Sequence, residues 1–152
     1  MTQRSATHAT FTIERHYPVH PARVFAAFAD PEAKARWSDS PDVVPAGDPA
    51  EFDFRVGGHE RFGVKLIDGP TYGYDAVYYD IVADERIVYC YEMYADGARI
   101  SVSVATIEFT EGGDGTTLTY TEQGAFLDGL DKAEDRKQGT EELLDGLMKE
   151  FR

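Results

Sequence analysis

Between Glu51 and Glu122 the chain is cut into six short segments by turn-forming residues. Glu51 to Val56 ends at Gly57-Gly58, and His59 to Ile67 ends at Asp68-Gly69-Pro70. Tyr72 to Val82, Arg86 to Ala95, Arg99 to Thr110 and Thr116 to Glu122 follow, joined by Ala83-Asp84-Glu85, Asp96-Gly97 and Gly112-Gly113-Asp114-Gly115. Segments of this length with turn chemistry between them read as strands. Connections this short leave only antiparallel pairing between neighbours. Thr10 to Tyr17, alternating Phe11 and Ile13 with Thr12 and Glu14, adds a seventh strand. A sheet of seven strands twists and curls, so its apolar face needs a cover.

Two parts of the chain can supply one. Pro21 suits the first turn of a helix carrying Val24, Phe25 and Phe28. Asp30-Pro31 ends that helix and caps a second, which carries Ala33 and Trp37. Residues 38 to 50, rich in Pro, Asp, Ser and Gly, read as a loop. The last segment, Asp131 to Arg152, is helical, with Leu143, Leu144, Leu147, Met148 and Phe151 as an apolar stripe. Burying all five would contribute about 7–15 kcal/mol before entropy costs, so the helix should dock. Gly139 and Gly146 each cost about 1 kcal/mol in a helix interior, which implies close approach to another element. The expected fold is α+β: a curved antiparallel seven-stranded sheet wrapped on a long C-terminal helix, with two short helices after the first strand. The expected organisation is a flexible segment 1–9 and one domain over 10–152.

Charge narrows the function classes. With 15 basic and 28 acidic residues the net charge is −13, which repels nucleic acid and anionic membranes. No segment approaches the length of a membrane-spanning helix, and Met1 to Ala9 has no apolar signal region. A cytoplasmic protein is the simplest expectation. The single cysteine, Cys90, forms no internal disulfide. His59-Glu60 does not open a zinc helix motif, because Gly63 holds the fifth place. His8, His16 and His20 add no metal spacing, so no metal or cofactor is expected.

Strand parity selects candidate site residues. Seven of the nine tyrosines lie between Tyr72 and Tyr94. Ile87, Tyr89, Tyr91 and Met93 share the more apolar face of their strand and are placed inward, with Cys90, Glu92 and Tyr94 outward. Tyr78 shares a face with Tyr72 and Tyr74. Leu118, Tyr120 and Glu122 share the core-facing parity of the last strand. A partly buried Glu122 could serve as a general acid or base, against the plainer reading of a strand-end glutamate in solvent. His59 and Arg61 share a face and could meet a ligand's polar end, or simply lie exposed. Phe126 could form a lid or a hydrophobic staple.

The order of elements resembles the helix-grip fold of the START/Bet v 1-like (SRPBCC) superfamily, and within it the AHSA1-like branch, named for the activator of Hsp90 ATPase. The matching residues are Val24 to Pro31 with Arg36-Trp37, Phe54 to Gly58, Asp80 to Val82, Glu85 to Tyr89, Gly115 to Tyr120 and Gly139. The resemblance covers about residues 10 to 151 and implies a ligand cavity between sheet and long helix. In similar proteins Trp37 lies near the pocket mouth. Where the family often has Gly-Trp, Gly139 is followed by Thr140, which implies a wider cavity at that end. Thr140, Leu143, Leu144 and Leu147 would line it from the helix. Three functions are consistent with this: a non-catalytic binder of a small apolar or aromatic molecule, a polyketide cyclase or hydrolase using Glu122, and an interaction module acting on Hsp90. Val88 and Tyr94 on the second face would permit a homodimer.

Overall fold

The computed structural model describes residues 3–152. Its eight strands are β1 (Ala6–Tyr17), β2 (Val43–Pro45), β3 (Glu51–Phe52), β4 (His59–Leu66), β5 (Thr71–Val82), β6 (Arg86–Ala95), β7 (Ala98–Gly112) and β8 (Gly115–Leu127). The helices are α1 (Pro21–Ala29), α2 (Pro31–Trp37) and α3 (Ala133–Leu147), the last running into a 3-10 turn at Met148–Phe151. All strands join one antiparallel sheet in the order β1-β8-β7-β6-β5-β4-β2, with β3 also paired to β4. This is the expected α+β architecture, a curved antiparallel sheet with a C-terminal helix packed against it.

Local chemistry explains the boundaries. Pro21 occupies the first turn of α1, and Asp30 caps α2 by accepting the Glu32 amide at 3.0 Å. Asp96 and Gly97 both take positive φ, 50° and 85°, as a two-residue hairpin between long strands requires.

Several boundaries differ from the sequence reading. Strand β1 begins at Ala6, because residues 6 to 9 pair with Gly124 to Leu127 of an equally lengthened β8. Strand β2 lies in the segment expected to be a loop, and Glu51 to Val56 keeps only two residues of strand. Both are short edge pieces on β4: β2 pairs with it from a distance along the chain, Val43 against Leu66, which local propensity does not report, whereas β3 pairs locally, Glu51 against Arg61.

The inner face carries the core. Ile13, Tyr17, Ala76, Tyr78, Ile87, Tyr91, Ile107, Phe109, Leu118 and Tyr120 meet Val24, Phe28, Trp37, Leu144 and Leu147 there. Phe109 is met edge-on by Phe25 and Phe28, which seats α1 on β7. Helix α3 packs along β1 and α2 instead of across the middle strands. Arg15 ties it to β1 through Asp145 at 2.7 Å and Glu141 at 3.4 Å, and the Tyr17 hydroxyl donates to the Leu144 carbonyl at 2.7 Å. A Cβ at Gly146 would lie 3.2 Å from the Trp37 carbonyl oxygen, so this glycine lets α2 and α3 approach. Gly139 has no such role, since a Cβ there would meet nothing within 4 Å.

Candidate functional site

The inner face holds two buried carboxylates, each with its own cation and tyrosine. Glu122 on β8 is 0% exposed. It accepts hydrogen bonds from Tyr91 (2.7 Å to the nearer oxygen), Tyr120 (2.6 Å) and Ser103 (2.7 Å). Arg136 of α3 reaches it at 3.3 Å. Arg136 is itself engaged at both terminal nitrogens. It donates to the Tyr91 hydroxyl at 2.9 Å, Ser101 at 2.7 Å and Asp131 at 2.7 Å, and its guanidinium lies over the Tyr91 and Phe126 rings. A carboxylate offers about four acceptor sites, and these four donors occupy them. The second carboxylate, Glu60 on β4, accepts from Lys34 of α2 at 2.6 Å and from the Tyr78 hydroxyl at 3.0 Å. Lys34 also sits over the Phe52 ring.

Between the two pairs lies a tyrosine cluster. Tyr74 stacks on Phe62 at 4.7 Å on one side and leans on Tyr91 at 5.1 Å on the other. Tyr89 lies between Tyr78 and Tyr91, with ring centroids 5.9 Å from each. Burial pushes the hydroxyls of Tyr74, Tyr78, Tyr89, Tyr91 and Tyr120 well above the ordinary phenol range, and the two carboxylates reinforce that shift. All five are therefore neutral O–H groups across the physiological range.

Part of this face is not covered. Leu143 lies seven residues beyond Arg136 and four before Leu147, on one face of α3. Arg136 reaches Glu122 and Leu147 is fully buried, so that face points inward. Leu143 nevertheless remains 41% exposed. On the inner face of the sheet, Tyr89 and Met93 of β6 are only half-buried, and Phe62 of β4 is 37% exposed. Apolar surface thus remains uncovered at Leu143 of α3 and on the β4-β5-β6 side of the inner face, where α3 does not pack.

The residues singled out from the sequence divide into four groups. Tyr78, Tyr91, Tyr120 and Glu122 belong to the polar clusters, and Tyr89, Met93, Thr140 and Leu143 are only partly covered or exposed. Ile87, Leu118, Leu144 and Leu147 are buried core. Trp37 is core as well: its indole N–H donates to the Ala27 carbonyl at 2.7 Å and its ring meets Phe28 edge-on, so it does not stand at a mouth. Phe126 is not a lid, because β8 runs through it and buries it beneath Arg136. His59 and Arg61 are corrected to the outer face. Glu60, between them, points inward, while Arg61 pairs with Asp75 at 3.1 Å and Glu51 at 3.1 Å, and His59 lies 3.5 Å from Asp75. The docking stripe of α3 is also smaller than expected, since Leu143 is 41% exposed.

Sequence reading did not find Arg136, Ser101, Ser103, Glu60 or Lys34. Arg136 had a signal, being a charged residue one heptad before Leu143 on the apolar stripe. Among the described residues no three His, Cys, Asp or Glu side chains converge as a metal-binding group. Two surface depressions lie elsewhere, one between Ala9 of β1 and Gly124 of β8, the other between Val19 and the β7–β8 turn.

A curved antiparallel sheet gripped by a C-terminal helix, with buried polar groups beneath it, defines a helix-grip protein of the START/Bet v 1-like class. The model of the activator of Hsp90 ATPase homolog 1-like family matches residues 18–152, and the chain belongs to that family. A protein of Rhizobium loti is 49% identical, with 96% of this chain and 99% of that one covered and a TM-score of 0.87. A protein of Rhizobium leguminosarum is 44% identical over 99% of this chain and 98% of that one, again with a TM-score of 0.87. A third, from Chromobacterium violaceum, is 26% identical over 93% and 96%, with a TM-score of 0.77. The search of curated proteins gives no match.

Proposed function

We propose that the protein binds a small apolar or aromatic molecule in the cleft between α3 and strands β4, β5 and β6, without converting it. The observation that carries this reading is the 41% exposure of Leu143 on the inward face of α3, together with the half-buried Tyr89 and Met93 on the inner face of the sheet. Apolar surface left uncovered on the inside of a fold is where a ligand gains most from burial, at about 25 cal/mol per Å². The fold class, which commonly holds hydrophobic ligands, supports the same reading. Catalysis by Glu122 is disfavoured because Tyr91, Tyr120, Ser103 and Arg136 already occupy its acceptor positions. A base with no free acceptor site cannot take a substrate proton without dismantling its surroundings.

The test is thermal unfolding against a panel of neutral one- and two-ring aromatic compounds, with Leu143→Trp as the filled-cleft control. At a ligand concentration of 100 Kd the stabilisation is about 2.7 kcal/mol. A saturable rise in Tm that Leu143→Trp removes is the expected result. A panel with no such compound, or equal rises in both proteins, would overturn the proposal.

A further inference from the structure

Strand β1 ends the sheet, and one of its edges is open. Its 12 residues pair with β8 on one side, and among the described residues no strand pairs with the other. A free edge of that length presents a row of backbone N–H and C=O groups that another strand can pair with. Proteins blunt such edges with lysine, proline, a bulge or a covering helix. None of these protects Ala6 to Thr12. The segment has no lysine, no proline and no carboxylate, and its register against β8 runs without a shift. The ion pairs and hydrogen bond that join α3 to β1 come from Arg15 and Tyr17, beyond its end. Ala6, Thr7, His8, Thr10 and Thr12 are exposed.

The sequence of this edge is complementary to itself. Residues directly opposite each other in an antiparallel pair lie on the same face. Odd-numbered residues of β1 point inward: Ile13 and Tyr17 are core, and Phe11 packs against it. Two copies related by a two-fold axis therefore continue one another's faces only when the pairing is centred on a residue. Centred on Ala9, the register sets Ala9 against Ala9 and Thr7 against Phe11, a β-branched and an aromatic side chain on the inner face. It also sets Arg4, two residues before the strand, against Glu14 of the other copy, once at each end. Glu14 makes no ion pair among the described residues. Arg4 uses one terminal nitrogen on Asp128, and its side chain stays 86% exposed. Centred on His8, Arg4 would meet Thr12; centred on Thr10, Glu14 would meet Ala6. The net charge of −13 opposes contact between copies, so contact is confined to surface where charge is absent or paired. This edge offers both.

We infer that a second copy of this chain pairs with β1 along Ala6 to Thr12, antiparallel and centred on Ala9, so that two sheets join into one across a two-fold axis. The partner is held by backbone hydrogen bonds, and the two Arg4–Glu14 pairs fix its register.

The experiment uses the full chain. Sedimentation equilibrium follows mass against concentration for wild type and Glu14→Arg, each checked for folding by circular dichroism. Glu14 is exposed, so its replacement leaves the monomer folded. Wild type is expected to reach twice the monomer mass at high micromolar concentration. Glu14→Arg is expected to weaken the dimer about tenfold or more, because two attractive cross-strand pairs become repulsive. Register is read by disulfide formation under mild oxidation in a Cys90→Ser background. Opposite residues of an antiparallel ladder have Cα atoms about 4.5–5.5 Å apart, within disulfide range. Ala9→Cys is expected to cross-link two copies, and Thr10→Cys, which faces His8 of the other copy, is not. A monomer at every concentration, an unchanged Kd in Glu14→Arg, failure of Ala9→Cys to cross-link, or cross-linking of Thr10→Cys to the same extent would overturn the inference.

Discussion

Replacing Glu122 by Gln removes one charge and turns one acceptor oxygen into an NH₂ donor. Every neighbour of that carboxylate is a donor: Tyr91 and Tyr120 at one oxygen, and Tyr91, Ser103 and Arg136 at the other. In either orientation the new NH₂ points at donors, and at least one hydroxyl must turn away with nothing buried to receive it. Hydrogen bonds to charged groups contribute about 1.5–3 kcal/mol each, and removing one partner of a buried ion pair costs about 3–5 kcal/mol. Arg136 keeps Asp131 at 2.7 Å, which lowers the penalty. We therefore expect Glu122→Gln to lose about 3 kcal/mol. In a chain of this size each kcal/mol moves Tm by about 2–4 °C, so the shift should be about 6–12 °C. Urea unfolding followed by the fluorescence of Trp37, the only tryptophan and a buried one, measures the loss directly. An unchanged m-value would show that the difference lies in stability alone. A loss below about 1 kcal/mol would mean that the network is not the satisfied, buried cluster described here.

Three further outcomes are expected. Gly139→Ala should stabilise the protein by up to about 1 kcal/mol, because its Cβ meets only open space, whereas Gly146→Ala should fall well short of that gain because of the Trp37 carbonyl at 3.2 Å; chemical denaturation of the two variants compares them. Burial raises the hydroxyls of six tyrosines, Tyr17, Tyr74, Tyr78, Tyr89, Tyr91 and Tyr120, so above about pH 10 the unfolded chain releases protons that the folded one retains. Their stabilisation is complete below that pH and is lost as pH rises, so these six should ionise together with unfolding in an ultraviolet titration, not before it. Asp128 accepts from the Ser5 amide and pairs with Arg4, which hold its carboxyl below the ordinary aspartate range; the tie persists above that range and loosens as pH falls through the lowered value, so NMR should show faster Ser5 amide exchange only in strong acid.

The sheet was legible because its signals are local. Asp96-Gly97 and Gly112 to Gly115 fix hairpins within a few residues, and period-2 alternation assigns Ile87, Tyr89, Tyr91 and Met93 to one face whatever the partner strand. The family resemblance then supplied the helix-grip arrangement. The edge strand β2 was not legible, because it pairs Val43 with Leu66 from within a segment rich in loop-forming residues, and β3 was legible at its start, Glu51, but not in its short length. Parity put His59 and Arg61 on one face but left open whether that face meets a ligand or solvent: their strand has a glutamate on its inner face, so polarity did not mark the outside. Glu60 is tolerated inside only because Lys34, some 26 residues earlier, reaches it. Glu122 was found by parity, but its role was not, since four donors from three other elements and its own strand surround it. A network of that kind exists only after folding. Leu143 reads as core from its spacing, and only the offset of α3 toward β1 leaves it exposed.

The central claim, that the cleft and not another surface takes the ligand, is tested most directly by NMR of protein labelled at the tyrosine ring carbons during titration with 1-naphthol. The account predicts saturable shifts at Tyr74 and Tyr89 and none at Tyr79 or Tyr94, which lie on the outer face. Shifts confined to Tyr79 and Tyr94, or no saturable shift at Tyr74 and Tyr89, would contradict it.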